Sequence, residues 1–235
     1  AGVEVSIGQG SERLPVILSG PWDAEKLESG ITLDISQSSQ PLSSWILAST
    51  SLPVQTTLTL KGKGVSNRHS NLTAEMVRHA GCSVDIGREG CSMGPWSVSG
   101  EDSYSVPGDA SMASFAVLAA FCLSSEIQLK GWPERENAIG HEILQESAIE
   151  YGIKWSPGCL KLSKKTDFTH LDVTDSNDIL PPMAALLALG GGGKITGAAH
   201  AAHKESNRLT RTVELLEHFG LKAELLSDGI EVEGN

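Results

Sequence analysis

"DVTDSNDILPPMAALLALGGGGKITG", residues Asp172–Gly197, joins a short acidic turn to an apolar run, four glycines and a strand-like tail. Two readings compete for it. A phosphate-binding loop needs its glycines after a strand, and a Ser or Thr directly after the Lys. Here a helical run precedes Gly190–Gly193, and Ile195 follows Lys194. The glycines therefore read as a helix stop that turns into a strand, one piece of a larger repeating unit.

That unit occurs three times. "DISQSSQPLSSWILASTSLPVQTTLTLKG" (Asp34–Gly62) and "VPGDASMASFAVLAAFCLSSEIQLKG" (Val106–Gly131) share its plan of polar turn, apolar helix, short turn and strand closed by Gly. The closing glycines Gly62, Gly131 and Gly197 recur about every seventy residues, a spacing that marks a repeat architecture. After each segment comes an amphipathic helix: Ser70–Gly81, Gly140–Gly152 and Glu205–Gly220. In the last of these Leu209, Val213, Leu216 and Phe219 fall on one face. Each of these helices stops at a Gly, which takes the left-handed conformation at no steric cost. Strands follow: "CSVDI", "IKWSP" and "LKAEL", then others such as "GIEVEG". The unit is β-α-β-α-β-β, and "VEVSI" and "LPVILSG" near the N-terminus read as the tail of an earlier copy. Helices alternating with strands in this way predict an α/β (α+β) fold with helices packed on sheets.

Bulk composition narrows the function. The formal charge is −11, which argues against a nucleic-acid or anionic-membrane surface but leaves room for a local cationic site for a small anion. Aromatic content is 5%, so the core is built from Ala, Leu, Ile and Val. Cys82, Cys91, Cys122 and Cys159 are widely spaced, as in a reduced, cytoplasmic protein. The longest apolar run, Phe115–Leu123, is too short to span a bilayer, and the opening residues do not read as a signal peptide.

The polar turns before the first helices are the candidate chemistry: Ser38-Ser39-Gln40-Pro41, Pro107-Gly108-Asp109-Ala110-Ser111 and Asn177-Asp178-Ile179-Leu180-Pro181-Pro182. Ser and Asp are preferred helix caps and Pro suits a first turn. The same helix ends also attract anions through free N–H groups and the dipole. Both readings stand at this point. "HKESNRLTR" places Lys204, Glu205 and Arg208 within one turn, with the two cations four apart on one helix face. Paired cations at a helix start oppose the dipole, so the cluster is either a solvated turn or an anion site. His200 and His203 stand three apart without a convincing third metal ligand. "KLSKK" (Lys161–Lys165) reads as a sheet edge guarded by lysines.

"SSQPLSS", "GVSNRHSNLTAEMVRHAG", "VPGDASMASF", "NDILPPMA" and "HKESNRL" occur in an order and spacing that resemble the 5-enolpyruvylshikimate-3-phosphate synthases, the 3-phosphoshikimate 1-carboxyvinyltransferases. The sister UDP-N-acetylglucosamine enolpyruvyl transferases share the fold but match these motifs less well. The resemblance implies an inside-out barrel of β-α-β-α-β-β units in two domains, and transfer of the enolpyruvyl group of phosphoenolpyruvate to the 5-hydroxyl of shikimate 3-phosphate. It implies no cofactor and no metal. Carried over by motif, Ser38, Ser39 and Ser66 hold the shikimate phosphate, Gln40 contacts the ring, and Arg68 and Asp109 complete the binding set. Asp178 accepts the proton of the attacking hydroxyl, Glu205 protonates the methylene carbon, Lys204 sits between the substrates, and Arg208 binds the phosphoenolpyruvate anion.

Against the family pattern, the chain lacks the opening lysine motif, the Gly-Asn-Ala-Gly-Thr-x-x-Arg stretch and the C-terminal arginine and lysine. By that comparison it carries half of one domain and two of the three units of the other. Residues 1–105 are expected to form part of the shikimate-phosphate domain and 106–235 part of the domain with the Lys-Glu-Ser-x-Arg motif, joined near Glu101–Val106. Ala202, Asn207 and His69 replace the family's usual Arg, Asp, and Tyr or Arg. The isolated chain is expected to fold, to turn over slowly or not at all, and to dimerise if unit faces are left uncovered. The alternative is a non-catalytic piece that binds shikimate 3-phosphate.

Overall fold

The computed structural model describes residues 1–7, 16–64, 67–100, 103, 105, 106, 108–131, 144, 153–156, 159–162 and 167–235. They form two compact units, Ala1–Ser103 and Tyr104–Asn235. Among the described residues no helix is long and apolar enough to cross a membrane.

The first unit opens with an antiparallel pair, β1 (Glu4–Ile7) and β2 (Val16–Ser19). A short helix α1 (Ala24–Glu28) follows, capped by Asp23, whose Oδ1 accepts from the Lys26 N–H at 3.1 Å. One full repeat then runs β3 (Ile31–Asp34), α2 (Gln40–Ala48), β4 (Thr56–Lys61), α3 (Asn67–His79), β5 (Val84–Ile86) and β6 (Gly90–Met93). The sheet order is β3-β4-β6-β5, with β3 and β4 parallel and the other pairs antiparallel. Leu42 and Ile46 of α2, Ala74 and Val77 of α3, and Leu58 and Met93 of the sheet are buried together.

The second unit contains α4 (Ala113–Leu123), β7 (Glu126–Gln128), β8 (Ile153–Ser156) and β9 (Cys159–Leu162). Another full repeat follows: β10 (Thr169–Asp172), α5 (Leu180–Leu189), β11 (Gly192–Thr196), α6 (Arg208–His218), β12 (Ala223–Leu225) and β13 (Ile230–Glu233). Its sheet order, β10-β11-β13-β12, reproduces that of the first unit, again with the first pair parallel. α5 is buried nearly all round, as its uninterrupted apolar sequence requires. Pro181 and Pro182 lie in its first turn, where a missing N–H leaves no hydrogen bond unmade. The helix ends at Leu189 and β11 begins at Gly192, so Gly190 and Gly191 make the helix-to-strand turn that the sequence predicts, while Gly192 and Gly193 already belong to the strand.

The middle copy differs. β7-β9-β8 reproduces the last three strands of the unit, all antiparallel, but among the described residues no strand pairs parallel to β7. In its place the Gly108 N–H donates to the Gly131 carbonyl at 3.0 Å. Two further expectations are corrected. Lys161 lies on β9, the central strand, paired with Glu126 on one side and Lys154 on the other, so the edge expected of "KLSKK" does not hold at Lys161; residues 163–165 lie outside the described residues. α3 begins at Asn67, three residues earlier than the amphipathic pattern predicts. The predicted helix 140–152 lies outside the described residues apart from Leu144, which is buried.

A shared turn explains the periodic glycines. Asp34 Oδ1 accepts from the Ser36 N–H, Asp109 Oδ1 from the Ser111 N–H and Asp172 Oδ1 from the Thr174 N–H, each at 2.8 Å. The same local bond thus turns each copy toward its first helix. The closing glycine stands against this turn in both full copies. A Cβ on Gly62 would lie 2.7 Å from Ser36 Cβ, and one on Gly197 only 2.2 Å from Thr174 Oγ1. Both glycines also have positive φ, +88° and +73°, so space and backbone conformation exclude a side chain together.

Candidate functional site

In each full repeat the parallel strand pair delivers two segments to one end of the sheet. Within the second unit, β10 leads to the 3-10 turn Asn177–Ile179, and β11 leads to the 3-10 turn Ala199–His203 and then to α6. Carboxyl ends of adjacent parallel strands are where open α/β sheets collect functional groups.

The two segments meet at Arg208. Its Nη1 donates to Asn177 Oδ1 at 2.9 Å and to Asp178 Oδ1, with which it also forms an ion pair. Its Nη2 donates to Glu205 Oε2 at 2.9 Å. Burial works against the guanidinium charge, but the hydrogen bonds to Asp178 and then Glu205 outweigh it and raise the Arg208 pKa. Glu205 is exposed, and its carboxyl is held below its ordinary value by its own backbone N–H and by Arg208. Behind this pair Asn177 is buried, and its Nδ2 lies 2.7 Å from His200 Nε2. The His200 pKa is lowered, first by burial and then by the positive charge of Lys204.

The helix begins later than the sequence suggests. Asn207 is the cap of α6, its Oδ1 accepting from the Thr210 N–H at 3.1 Å. Lys204 lies before the helix in extended conformation, so Lys204 and Arg208 do not share a helical face. The cap also explains why Asn serves at 207: an amide oxygen accepts the N–H as a carboxylate does. Ala202, within the 3-10 turn Ala199–His203, packs partly buried against the core.

In the first unit the equivalent strand pair, β3 and β4, leads to Ser38-Ser39-Gln40 and to the start of α3. Ser38 Oγ accepts from the Gln40 N–H at 3.2 Å. Ser39 is buried and occupies the cap position of α2, but its side chain makes no capping bond there. Simple capping therefore does not account for this turn, nor for those at α4 and α5, whose cap positions are Met112 and Ile179. Gln40 is exposed and Arg68 is half-buried in the first turn of α3. Thr73 links the two helices, donating to Ser43 Oγ at 3.1 Å. Ser66 lies outside the described residues. Asp109 is used locally, accepting from both the N–H and the hydroxyl of Ser111.

A sequence model of EPSP synthase (3-phosphoshikimate 1-carboxyvinyltransferase) matches residues 1–235. The chain belongs to the EPSP synthase family. Among curated relatives, the 3-phosphoshikimate 1-carboxyvinyltransferase of Methanothrix thermoacetophila is 30% identical over 99% of this chain and 55% of its own length. That of Methanosphaera stadtmanae is 27% identical over 100% and 56%. The chain thus spans about half the length of the relatives it matches. Among solved structures, EPSP synthase from Acinetobacter baumannii superposes with a TM-score of 0.71 at 22% identity, covering 100% of this chain and 54% of that one. The enolpyruvyl transferase NikO from Streptomyces tendae gives 0.61 at 14% identity, covering 99% and 56%. The α/β repeat architecture is therefore the enolpyruvyl-transferase fold, reached through two complete units and part of a third.

Within this EPSP synthase framework, the structure brings Asp178, Glu205 and Arg208 into one cluster, with Lys204 close enough to act on His200 and Glu205. Sequence reading passed over Asn177 as an anchor and considered His200 only as a metal ligand.

Proposed function

We propose that this chain carries part of a 3-phosphoshikimate 1-carboxyvinyltransferase site, which moves the enolpyruvyl group of phosphoenolpyruvate to the 5-hydroxyl of shikimate 3-phosphate and releases phosphate. The carrying observation is that Asp178, 30 positions before Arg208 in sequence, and Glu205 both bind the Arg208 guanidinium. In this reading Asp178 accepts the proton of the attacking hydroxyl and Glu205 delivers one to the methylene carbon. Lys204 and Arg208 offset the charge that two anionic substrates bring together. Ser38, Ser39, Gln40, Ser66 and Arg68 take shikimate 3-phosphate on residues 1–105, and residues 106–235 supply the catalytic motif. Asp109 belongs to the binding set through the turn it shapes.

The chemistry sets a condition on Glu205. A carbon centre is protonated by a carboxylic acid, not a carboxylate, yet its own backbone N–H and Arg208 hold the Glu205 carboxyl below its ordinary value. Phosphoenolpyruvate competing for the Arg208 N–H groups would weaken that grip, and its negative charge would raise the Glu205 pKa. Anion binding and arming of the acid are then one event.

Calorimetry with each substrate, alongside an assay of phosphate release, tests the proposal. Binding of shikimate 3-phosphate that weakens in Ser38→Ala, and of phosphoenolpyruvate that weakens in Arg208→Ala, supports it. Binding of neither substrate refutes it. Binding without turnover supports the second reading, a substrate-binding part of a longer enzyme, which the coverage of about half of each relative favours. The exposed apolar side chains Val5, Ile7, Val16, Ile17 and Leu18 of β1 and β2 support self-association of the chain, and sedimentation velocity measures it.

A further inference from the structure

The chain of contacts behind Arg208 has a forced polarity. A guanidinium only donates and stays charged at any ordinary pH. The Asn177 atom facing Arg208 Nη1 at 2.9 Å must therefore be its oxygen. The Asn177 NH2 group is then turned to His200, 2.7 Å from Nε2. Two donors cannot share that contact, so Nε2 must accept, and the ring must be neutral with its proton on Nδ1. Asn177 is 1% exposed and His200 6%, so neither side chain can turn to water without opening the turn.

We propose that His200 is a positioning residue for Arg208: as a neutral ring it fixes the Asn177 amide, which holds the guanidinium at the end of the β10–β11 pair, and its protonation releases that grip. The charged groups acting on the ring are Lys204 and Arg208, which favour the neutral form, and Asp175 and Asp178, which favour the protonated one. Lys204 lies on the segment after the ring's own 3-10 turn and Arg208 on α6, while both acids come from the segment before α5. Burial adds to the cations. A proton on Nε2 would face the Asn177 NH2. Flipping the amide to accept it would turn that NH2 on to Arg208, so one proton disorders both contacts.

The proposal rests on the reading of Arg208 as an anion-binding group only for its functional consequence, and two measurements separate them. The first is nitrogen-resolved NMR of the imidazole rings of the full chain. His200 is expected as the Nδ1–H tautomer at neutral pH, staying neutral to a pH below the ordinary imidazole value of 6.5. A His200 ring carrying its proton on Nε2, or titrating at or above the ordinary imidazole value, overturns the proposal whether or not any anion binds.

The second measurement is phosphoenolpyruvate binding between pH 8 and pH 5 in the wild type and in His200→Gln. The Gln amide oxygen can accept from Asn177 but cannot titrate. Titration of the ligand and of Glu205 is common to both proteins, so it cancels in the comparison. Wild-type affinity is expected to fall about tenfold more steeply than that of the variant, the effect of one proton linked over one pH unit. Superimposable pH profiles overturn the positioning role. If neither protein binds the ligand, the anion reading of Arg208 fails, and the tautomer alone decides the His200 contact.

Discussion

Replacing Arg208 by Ala separates the contacts of the cluster by their worth. The side chain is 21% exposed, Asp178 37% and Glu205 75%. The bond to Asn177 joins a charged donor to a buried acceptor, an interaction that contributes about 1.5–3 kcal/mol. The Asp178 pair is partly screened by solvent and adds about 0.2–1 kcal/mol. Arg208→Ala should therefore destabilise the second unit by about 2–4 kcal/mol, while Glu205→Ala should leave stability unchanged within error. With a urea m-value of about 2 kcal/mol/M, the first variant's midpoint falls by about 1–2 M. Circular dichroism through a urea titration reads the midpoint, and hydrogen exchange of the α5 and α6 peptides assigns the loss to this unit. Arg208→Lys keeps the charge but loses the planar fork that reaches Asn177, Asp178 and Glu205 at once, and should recover less than half. If Arg208→Ala and Glu205→Ala shift the midpoint equally, the buried amide contact is not what anchors the guanidinium.

Other perturbations read other parts of the structure. Gly220 (φ +76°) has open space where a Cβ would go, whereas Gly197 (φ +73°) has Thr174 Oγ1 at 2.2 Å and Thr174 N at 3.0 Å. Gly220→Ala should cost about 1–2 kcal/mol for the left-handed backbone alone, and Gly197→Ala clearly more, as thermal melts would show. Alkylation followed by mass spectrometry should label exposed Cys122 first and Cys91 last, since burial, aided by Asp85, pushes the Cys91 thiol up to about 11. His200 has a folded pKa below its ordinary 6.5, so the unfolded chain binds that proton more readily. Its contribution to stability is intact above pH 6.5 and is lost as pH falls through the lowered value. Thermal melts should show that loss, and His200→Gln should reduce it. In His200→Gln, where the ring cannot titrate, phosphoenolpyruvate binding near pH 5 should take up protons as Glu205 leaves Arg208, measured as a dependence of binding heat on the buffer's ionisation enthalpy.

The repeat was legible because its markers are local. Gly62 and Gly197 cannot be replaced where strand meets turn, and the uninterrupted apolar run of α5 can only be a helix buried all round. What escaped depends on contacts distant in sequence. The central position of β9 follows from a strand order, β7-β9-β8, that skips a neighbour, and nothing within "KLSKK" encodes it. The start of α6 is set by the Asn207 cap and by Arg208 reaching back thirty positions to Asp178, not by the apolar period that begins with Leu209. The Asn177–His200 contact exists only because β10 and β11 are parallel neighbours.

The same topology supplies equivalent ends to two different chemistries. At the β3–β4 end stand hydroxyls and an amide, Ser38, Ser39 and Gln40, with Arg68 opening the next helix. At the β10–β11 end stand Asp178 and Glu205 against Arg208, with Lys204 beside them. The first set brings one cation, Arg68, and its motif contains no carboxylate. The second set has two acids against two bases, so an anion bound at Arg208 takes N–H donors that Asp178 and Glu205 now use. Binding at the first end asks for shape and hydrogen bonds; binding at the second asks for an exchange of partners, and an exchange that frees an acid is what carbon protonation requires. Under the proposed function, the residues placed after the parallel strands of each repeat separate holding a substrate from activating one.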